Sequence, residues 1–125
     1  MKVFVYYNLH RKLWSVKALE GPDKGKVIAR LHTVVLHDVV PKVSEAGRKR
    51  VLQEKRKNVH AGLVGHYSPS WQKAPRGLCL SNDDRISYNP YKSGNFYYIQ
   101  EPNRVYTGST GAILLATGKP EVYTF

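Results

Sequence analysis

The residues of this chain with the clearest chemical potential are a cluster of cations near its middle. Residues 48–57 contain six lysines and arginines against one glutamate. Because an arginine guanidinium matches phosphate geometry better than a lysine ammonium does, Arg48 and Arg56 are the first candidates for phosphate contacts, ahead of Lys49 and Lys55. A solvated helix face is the alternative interpretation of the same cluster.

Two polar residues follow the cluster directly. Asn58 could end a helix in a left-handed conformation, which is a structural role. His60 begins a predicted strand, where it could donate to a phosphate or a ribose hydroxyl, or be a half-buried ring. His60 is therefore a candidate ligand contact with a structural alternative.

The second group is aromatic. Residues 85–100, RISYNPYKSGNFYYIQ, contain five aromatic side chains with arginine, asparagine and lysine between them. Aromatic faces stack on nucleobases, and the interleaved polar groups can bond to phosphates and base edges. Tyr88, Tyr91, Phe96, Tyr97 and Tyr98 are the candidates for stacking. Packing in ordinary strands is the alternative, because tyrosine is a common strand residue and alternation exposes only half of a strand's side chains.

Patterns of catalysis and metal binding are absent from the sequence. It has no HExxH, CxxC, GxSxG, GxxxxGK[ST] or GxGxxG motif, and its acidic residues form no evident acid–base pair. The single cysteine, Cys79, has apolar neighbours, and we expect it to be buried and inert. The sequence therefore predicts a protein that is not an enzyme, with no cofactor and no metal site.

Composition limits the class of partner. The chain has 125 residues, which predicts a single domain over residues 1–125, and a net charge of +11. Such a charge attracts phosphate-bearing partners, whether a nucleic acid or a small molecule, although solubility alone is the alternative. No apolar run reaches 18 residues, so we expect no membrane span, and the N-terminal pattern does not resemble a signal peptide.

The elements that must position these groups are mostly strands. Alternating and β-branched segments predict strands over residues 2–8, 14–19, 27–32, 33–40 and 58–67, and Pro41 is expected to end the fourth. Ser44 is a favourable N-cap for a helix from about Glu45 to about Lys57. Short strands separated by Gly, Asn and Pro turns follow from residue 85. The predicted fold class is α+β, mainly antiparallel sheet with one principal basic helix at about 45–57.

Three segments together resemble a family of small bacteriophage proteins. They are NLHRKLWSV, KVSEAGRKRVLQEKRKNVHAGLVG and SYNPYKSGNFYY. The family proposed for this resemblance is the first Thoeris anti-defence family, whose members trap cyclic ADP-ribose isomers without cleaving them. Some members also trap cyclic oligonucleotide signals.

The resemblance implies a homo-oligomer in the cytoplasm of the infected bacterial host, with pockets formed by arginines, an aromatic residue and an asparagine. It assigns a phosphate contact to Arg56 and a polar contact to Asn89, with Arg30 and Arg104 as looser candidates. Tyr88, Tyr91 and Phe96 compete for the aromatic position. The expected function is sequestration of cyclic nucleotide immune signals. The alternatives are a basic nucleic-acid-binding module and an inhibitor of a host protein.

Overall fold

The computed structural model describes residues 1–56, 59–72 and 80–125, except for the side chain of Trp71. This part of the chain contains nine strands and one α-helix, with short 3-10 turns at Pro69–Trp71 and Asn82–Asp84. In chain order, the elements are β1 (Lys2–Asn8), β2 (Leu13–Ala18), β3 (Val27–Leu31), β4 (Thr33–Val43), α1 (Glu45–Glu54), β5 (Ala61–His66), β6 (Arg85–Ser87), β7 (Tyr97–Tyr98), β8 (Thr110–Ala116) and β9 (Pro120–Thr124).

All nine strands belong to one sheet, in the order β3-β2-β1-β5-β4-β8-β9-β6-β7. The paired neighbours are antiparallel, which confirms the predicted α+β class of mainly antiparallel sheet with one helix. The sheet curls strongly. Trp14 Nε1 in β2 donates to the carbonyl oxygen of Leu115 in β8 at 2.9 Å, although three strands separate β2 from β8 in the sheet.

The core fills the concave face of this curled sheet. Val3 and Val5 of β1 are fully buried, as are Val16 of β2 and Leu36 of β4. The residues between them along each strand point to the other, convex face, because side chains alternate in a strand. The predicted period-2 pattern of β1 and β2 therefore corresponds to one core face and one outer face.

The predicted end of β4 is wrong. Pro41 does not end β4, which continues to Val43 and pairs with β5 throughout that stretch. The pairing of β4 with β8 stops at Val39, so Pro41 lies where β4 has lost one neighbour. A proline, which lacks an N–H donor, is tolerated at such an edge position.

The helix is shorter and less basic than predicted. Ser44 is the N-cap, as expected, and its Oγ accepts from Gly47 N at 3.2 Å. α1 ends at Glu54, because Lys55 adopts a left-handed conformation with φ of 53° and its N–H bonds to Val51 O. Three basic and two acidic residues lie within α1, and Arg56 lies beyond it. The predicted terminator, Asn58, lies outside the described residues, as does Cys79.

Candidate ligand-binding cleft

An open cleft of about 540 Å³ lies between the second half of α1 and the loop that follows β6. Its size is within the range of small-molecule sites in proteins, roughly 300–1,000 Å³. Most of its wall is aromatic or aliphatic. The rings that line it are those of Tyr7, His60, Tyr88, Tyr91 and Tyr97, and the aliphatic side chains are those of Leu9, Val51, Val59 and Ala61.

His60 and Tyr88 are joined at the centre of this wall. His60 Nε2 and Tyr88 Oη are 2.7 Å apart, and the two rings meet edge to face with centroids 5.3 Å apart. The ring of buried Phe96 packs against the other side of Tyr88 at 5.2 Å. Loss of solvent raises the pKa of the Tyr88 phenol, although nearby Arg48 partly opposes this rise. At neutral pH Tyr88 therefore presents a neutral hydroxyl beside His60.

A tight turn after β6 positions the neighbouring candidates. Asn89 Oδ1 accepts from Tyr91 N at 2.9 Å, and the Asn89 carbonyl accepts from Lys92 N at 3.0 Å. These bonds explain why an asparagine starts the turn, since its side chain mimics a backbone acceptor. The turn holds Tyr91 at the rim of the cleft with 62% of its surface exposed. The Asn89 side-chain NH₂ remains as a donor group at the same place.

The cations near the cleft stand at its edge. None of the described residues that line it is a lysine or an arginine. Arg48 Nε donates to the carbonyl oxygen of Pro90, a lining residue, at 3.1 Å, which uses one of the five guanidinium donors. Lys92 Nζ lies 4.4 Å from the centroid of the Tyr97 ring. The cleft thus combines an apolar aromatic floor with positive charge at the rim.

The structure brings together some of the predicted site residues and leaves others apart. His60, Tyr88, Asn89 and Tyr91 line the cleft, Phe96 packs behind Tyr88, and Arg48 holds its wall. Arg56 is exposed after α1 and does not line the cleft.

The two looser candidates lie elsewhere. Arg30 is exposed on β3, the strand at one end of the sheet. The Arg104 guanidinium lies 4.3 Å from the centroid of the Tyr98 ring, beside a separate shallow depression.

Sequence reasoning missed Tyr7 as a lining residue, and it named Tyr97 only as one of the five aromatic side chains of residues 85–100. Tyr7 shares the concave face of β1 with the buried valines, so alternation alone identifies it as a core residue. Its hydroxyl is buried, and no described residue forms a hydrogen bond with it. That unsatisfied hydroxyl is the feature that separates Tyr7 from an ordinary core position, and it is visible only in three dimensions.

Comparison with known proteins gives the family of the chain. Residues 1–122 match the family described as Mycobacterium phage L5 gene 82 protein. The chain belongs to this family. The gene 82 protein of Mycobacterium phage L5 is 42% identical over 123 residues, which cover 89% of this chain and 93% of the relative. No solved structure matches the chain.

These matches and the structure bear on the expected phage origin, metal site and membrane span. They confirm a bacteriophage protein, and neither match mentions Thoeris anti-defence or a cyclic nucleotide. Among the described residues, no three His, Cys, Asp or Glu side chains are grouped as a metal site would require. No helix in the described ranges is long and apolar enough to span a membrane.

Proposed function

We propose that this phage protein binds a small cyclic nucleotide in the cleft and holds it without cleaving it. The observation that supports the proposal is the meeting of His60, Tyr88, Asn89 and Tyr91, from two distant segments, in one open aromatic cleft. Aromatic faces there are suited to stacking on a base. The Asn89 amide and the His60–Tyr88 pair offer hydrogen bonds to base edges or ribose hydroxyls.

Sequestration fits the chemistry of this wall. Holding a ligand requires preorganised donors, stacking surface and exclusion of water, whereas cleavage also requires a positioned acid and base. Phe96 packs behind Tyr88, and Arg48 fixes the backbone at Pro90, so the ring and the turn are held before a ligand arrives. In the infected host cell, such a protein would lower the free concentration of a nucleotide immune signal.

The open shape of the cleft favours a role for a second copy. A bound dianion is held best where water is excluded and cations surround its phosphates. The described lining supplies rings but neither arginine nor lysine. We therefore include in the proposal a homo-oligomer in which a neighbouring protomer covers the cleft and contributes cations such as Arg56. Light scattering with and without ligand measures this, and a monomer in both states would contradict it.

Calorimetry against a panel of cyclic ADP-ribose isomers and cyclic di- and trinucleotides tests the function. We expect binding heat with at least one of them, and recovery of the intact nucleotide after the protein is denatured. Recovery of an altered nucleotide would instead indicate an enzyme, and no heat with any member would refute the proposal.

A pair of tyrosine variants localises the binding. Tyr91→Leu removes a ring at the rim of the cleft, and we expect about tenfold weaker binding if a base stacks there. Tyr123→Leu is the matched control, because Tyr123 is a partly exposed ring of β9 that does not line the cleft. Equal losses in the two variants would show that the ligand does not occupy the cleft.

A further inference from the structure

The convex face of the sheet carries two aromatic rings that the cleft does not use. Val5 of β1 is fully buried in the core, so its neighbours Phe4 and Tyr6 point to the opposite face. Their ring centroids are 5.8 Å apart, and the ring planes are tilted by 33°. Both side chains are half-buried, which leaves part of each ring open to solvent.

A glycine on the next strand sets the position of the Phe4 ring. A Cβ added at Gly62 of β5 would lie 2.6 Å from Phe4 Cε2, and would also collide with the Val5 carbonyl oxygen. The Phe4 ring therefore lies down over the backbone of Gly62. A ring in this position stays on the outer surface of the sheet and is partly open to solvent. That geometry suits stacking against a flat partner.

Cations stand on both sides of the two rings. Lys17 of β2 is directly opposite Phe4, and Arg30 of β3 is in register with Ser15, the residue opposite Tyr6. On the other side, Lys42 of β4 places Nζ 5.9 Å from the Phe4 centroid. Since neighbouring strands are about 4.8 Å apart, these cations lie within one or two strands of the rings.

Among the described residues, the acidic side chains near this face are Glu20 and Asp38, and both lie at one end of it. Lys2 and His66 are paired across β1 and β5 at the end where Glu20 accepts from Lys2 N. Asp38 lies beside Lys2 and Lys42 in a depression at the same end. The part of the face around Tyr6, Lys17 and Arg30 is thus left with a surplus of positive charge, and Lys42 lies beside both Phe4 and Asp38. We call Phe4, Tyr6, Lys17, Arg30 and Lys42 the outer platform.

We propose that the outer platform binds single-stranded nucleic acid. Exposed rings on a sheet stack on unpaired bases of any sequence, and flanking lysine and arginine side chains neutralise the phosphates of the strand. A duplex hides its base faces, so it cannot use Phe4 and Tyr6 in this way. The platform shares no residue with the cleft, and this proposal is independent of the cyclic nucleotide proposal.

Fluorescence anisotropy with a labelled 20-nucleotide oligothymidylate tests the charges of the platform. The double variant Lys17→Gln, Lys42→Gln removes two platform cations, and Lys24→Gln, Lys119→Gln removes two exposed cations from turns elsewhere. We expect about tenfold weaker binding for the first variant at moderate salt. The slope of log affinity against log salt concentration should also become shallower by about 1.4 for this variant. Each phosphate contact on a single strand contributes roughly 0.7 to that slope, and the variant loses two. The turn variant should stay within about twofold of the parent protein.

Equal losses in both lysine variants would overturn the proposal, because they would show that net charge alone drives binding. No binding of the oligonucleotide by the parent protein would overturn it as well. The four lysine side chains lie at the surface, so we expect neither double variant to disturb the core. Matching urea unfolding midpoints of the two variants confirm that both are folded.

The rings are tested separately. Phe4→Leu combined with Tyr6→Leu should weaken oligothymidylate binding about tenfold, whereas Tyr6→Phe, which keeps the ring, should retain affinity. Tyr91→Leu in the cleft should leave oligothymidylate binding unchanged. Competition by a 20-base-pair duplex as strong as that by the single strand would refute the assignment to single-stranded nucleic acid. Loss of oligothymidylate binding in Tyr91→Leu would refute the assignment to the outer platform.

Discussion

At the scale of single residues, two phenols link burial to the pH dependence of stability. Loss of solvent raises the pKa of half-buried Tyr88 and of buried Tyr106 above the ordinary value of 10.0. The folded state therefore holds these two protons more tightly than the unfolded state does. Their contribution to stability is fully present below pH 10 and is lost as the pH rises through the folded-state pKa values.

We therefore expect the free energy of unfolding to decline above about pH 10, partly through these two groups. Replacing Tyr88 and Tyr106 by phenylalanine should make the decline shallower, and Tyr91→Phe, at an exposed ring, should not. Urea unfolding at a series of alkaline pH values measures this. A decline that runs parallel in all three proteins would contradict the assignment. The double variant also loses the hydroxyl bonds to His60 and Thr110, so slopes with pH are compared, not absolute stabilities.

The sequence predicts the chemical role of a side chain better than it predicts the position of that side chain in the fold. The aromatic and asparagine candidates after β6 do meet His60, because a hairpin-rich pattern brings distant turns together. Arg30 was expected near the same ligand and instead belongs to the convex face. Its side-chain type indicated an anionic partner, but only the register of β2 with β3 shows which face it occupies. That register depends on a bulge between Val16 and Lys17, which no turn signal announces.

At the scale of elements, Ser44 controls the start of the only helix in the described part of the chain. Its Oγ accepts from Gly47 N, one of the amides that a helix leaves without an internal partner. Ser44→Ala should lower the free energy of unfolding by about 1 kcal/mol, and Ser44→Thr, which keeps the hydroxyl, should lower it less. Urea denaturation measures both changes. Equal stability of the alanine variant and the parent would show that the cap contributes nothing.

The same element shows why boundaries were harder to predict than element types. Ser44 followed by Glu45 marks the start of α1 locally, so the start was predicted correctly. The end was not, because a lysine in a left-handed conformation carries no signal of glycine or asparagine type. Similarly, Pro41 stays within β4 because β8 pairs only as far as Val39, which is a fact of tertiary structure.

At the scale of the whole molecule, the curl of the sheet separates the two proposed binding surfaces. Tyr7 and Tyr6 are neighbours in β1, yet one lines the cleft and the other lies on the outer platform. The net charge of +11 attracts anions at long range to either surface. Under the two proposals, specific contacts would then decide which ligand each surface binds. Composition therefore predicts the charge of a partner but does not predict the number of binding sites.

The curl itself depends on a bond that joins strands far apart in the sheet. Trp14 Nε1 donates to Leu115 O at 2.9 Å, and the Trp14 ring meets Tyr7 edge to face at 5.4 Å. Trp14→Phe keeps a ring in place but leaves the Leu115 carbonyl without this donor. We expect a loss of about 1–3 kcal/mol in the free energy of unfolding, with faster hydrogen exchange in both β2 and β8.

Tyr7→Phe is the control for that prediction, because it also converts a core ring to phenylalanine. The Tyr7 hydroxyl is buried, and the described residues offer it no hydrogen bond, so its removal relieves an unsatisfied polar group. Tyr7→Phe should therefore match or exceed the parent in stability, with unchanged exchange in β8. Similar losses in the two variants would mean that ring packing, and not the Trp14–Leu115 bond, closes the sheet around the cleft.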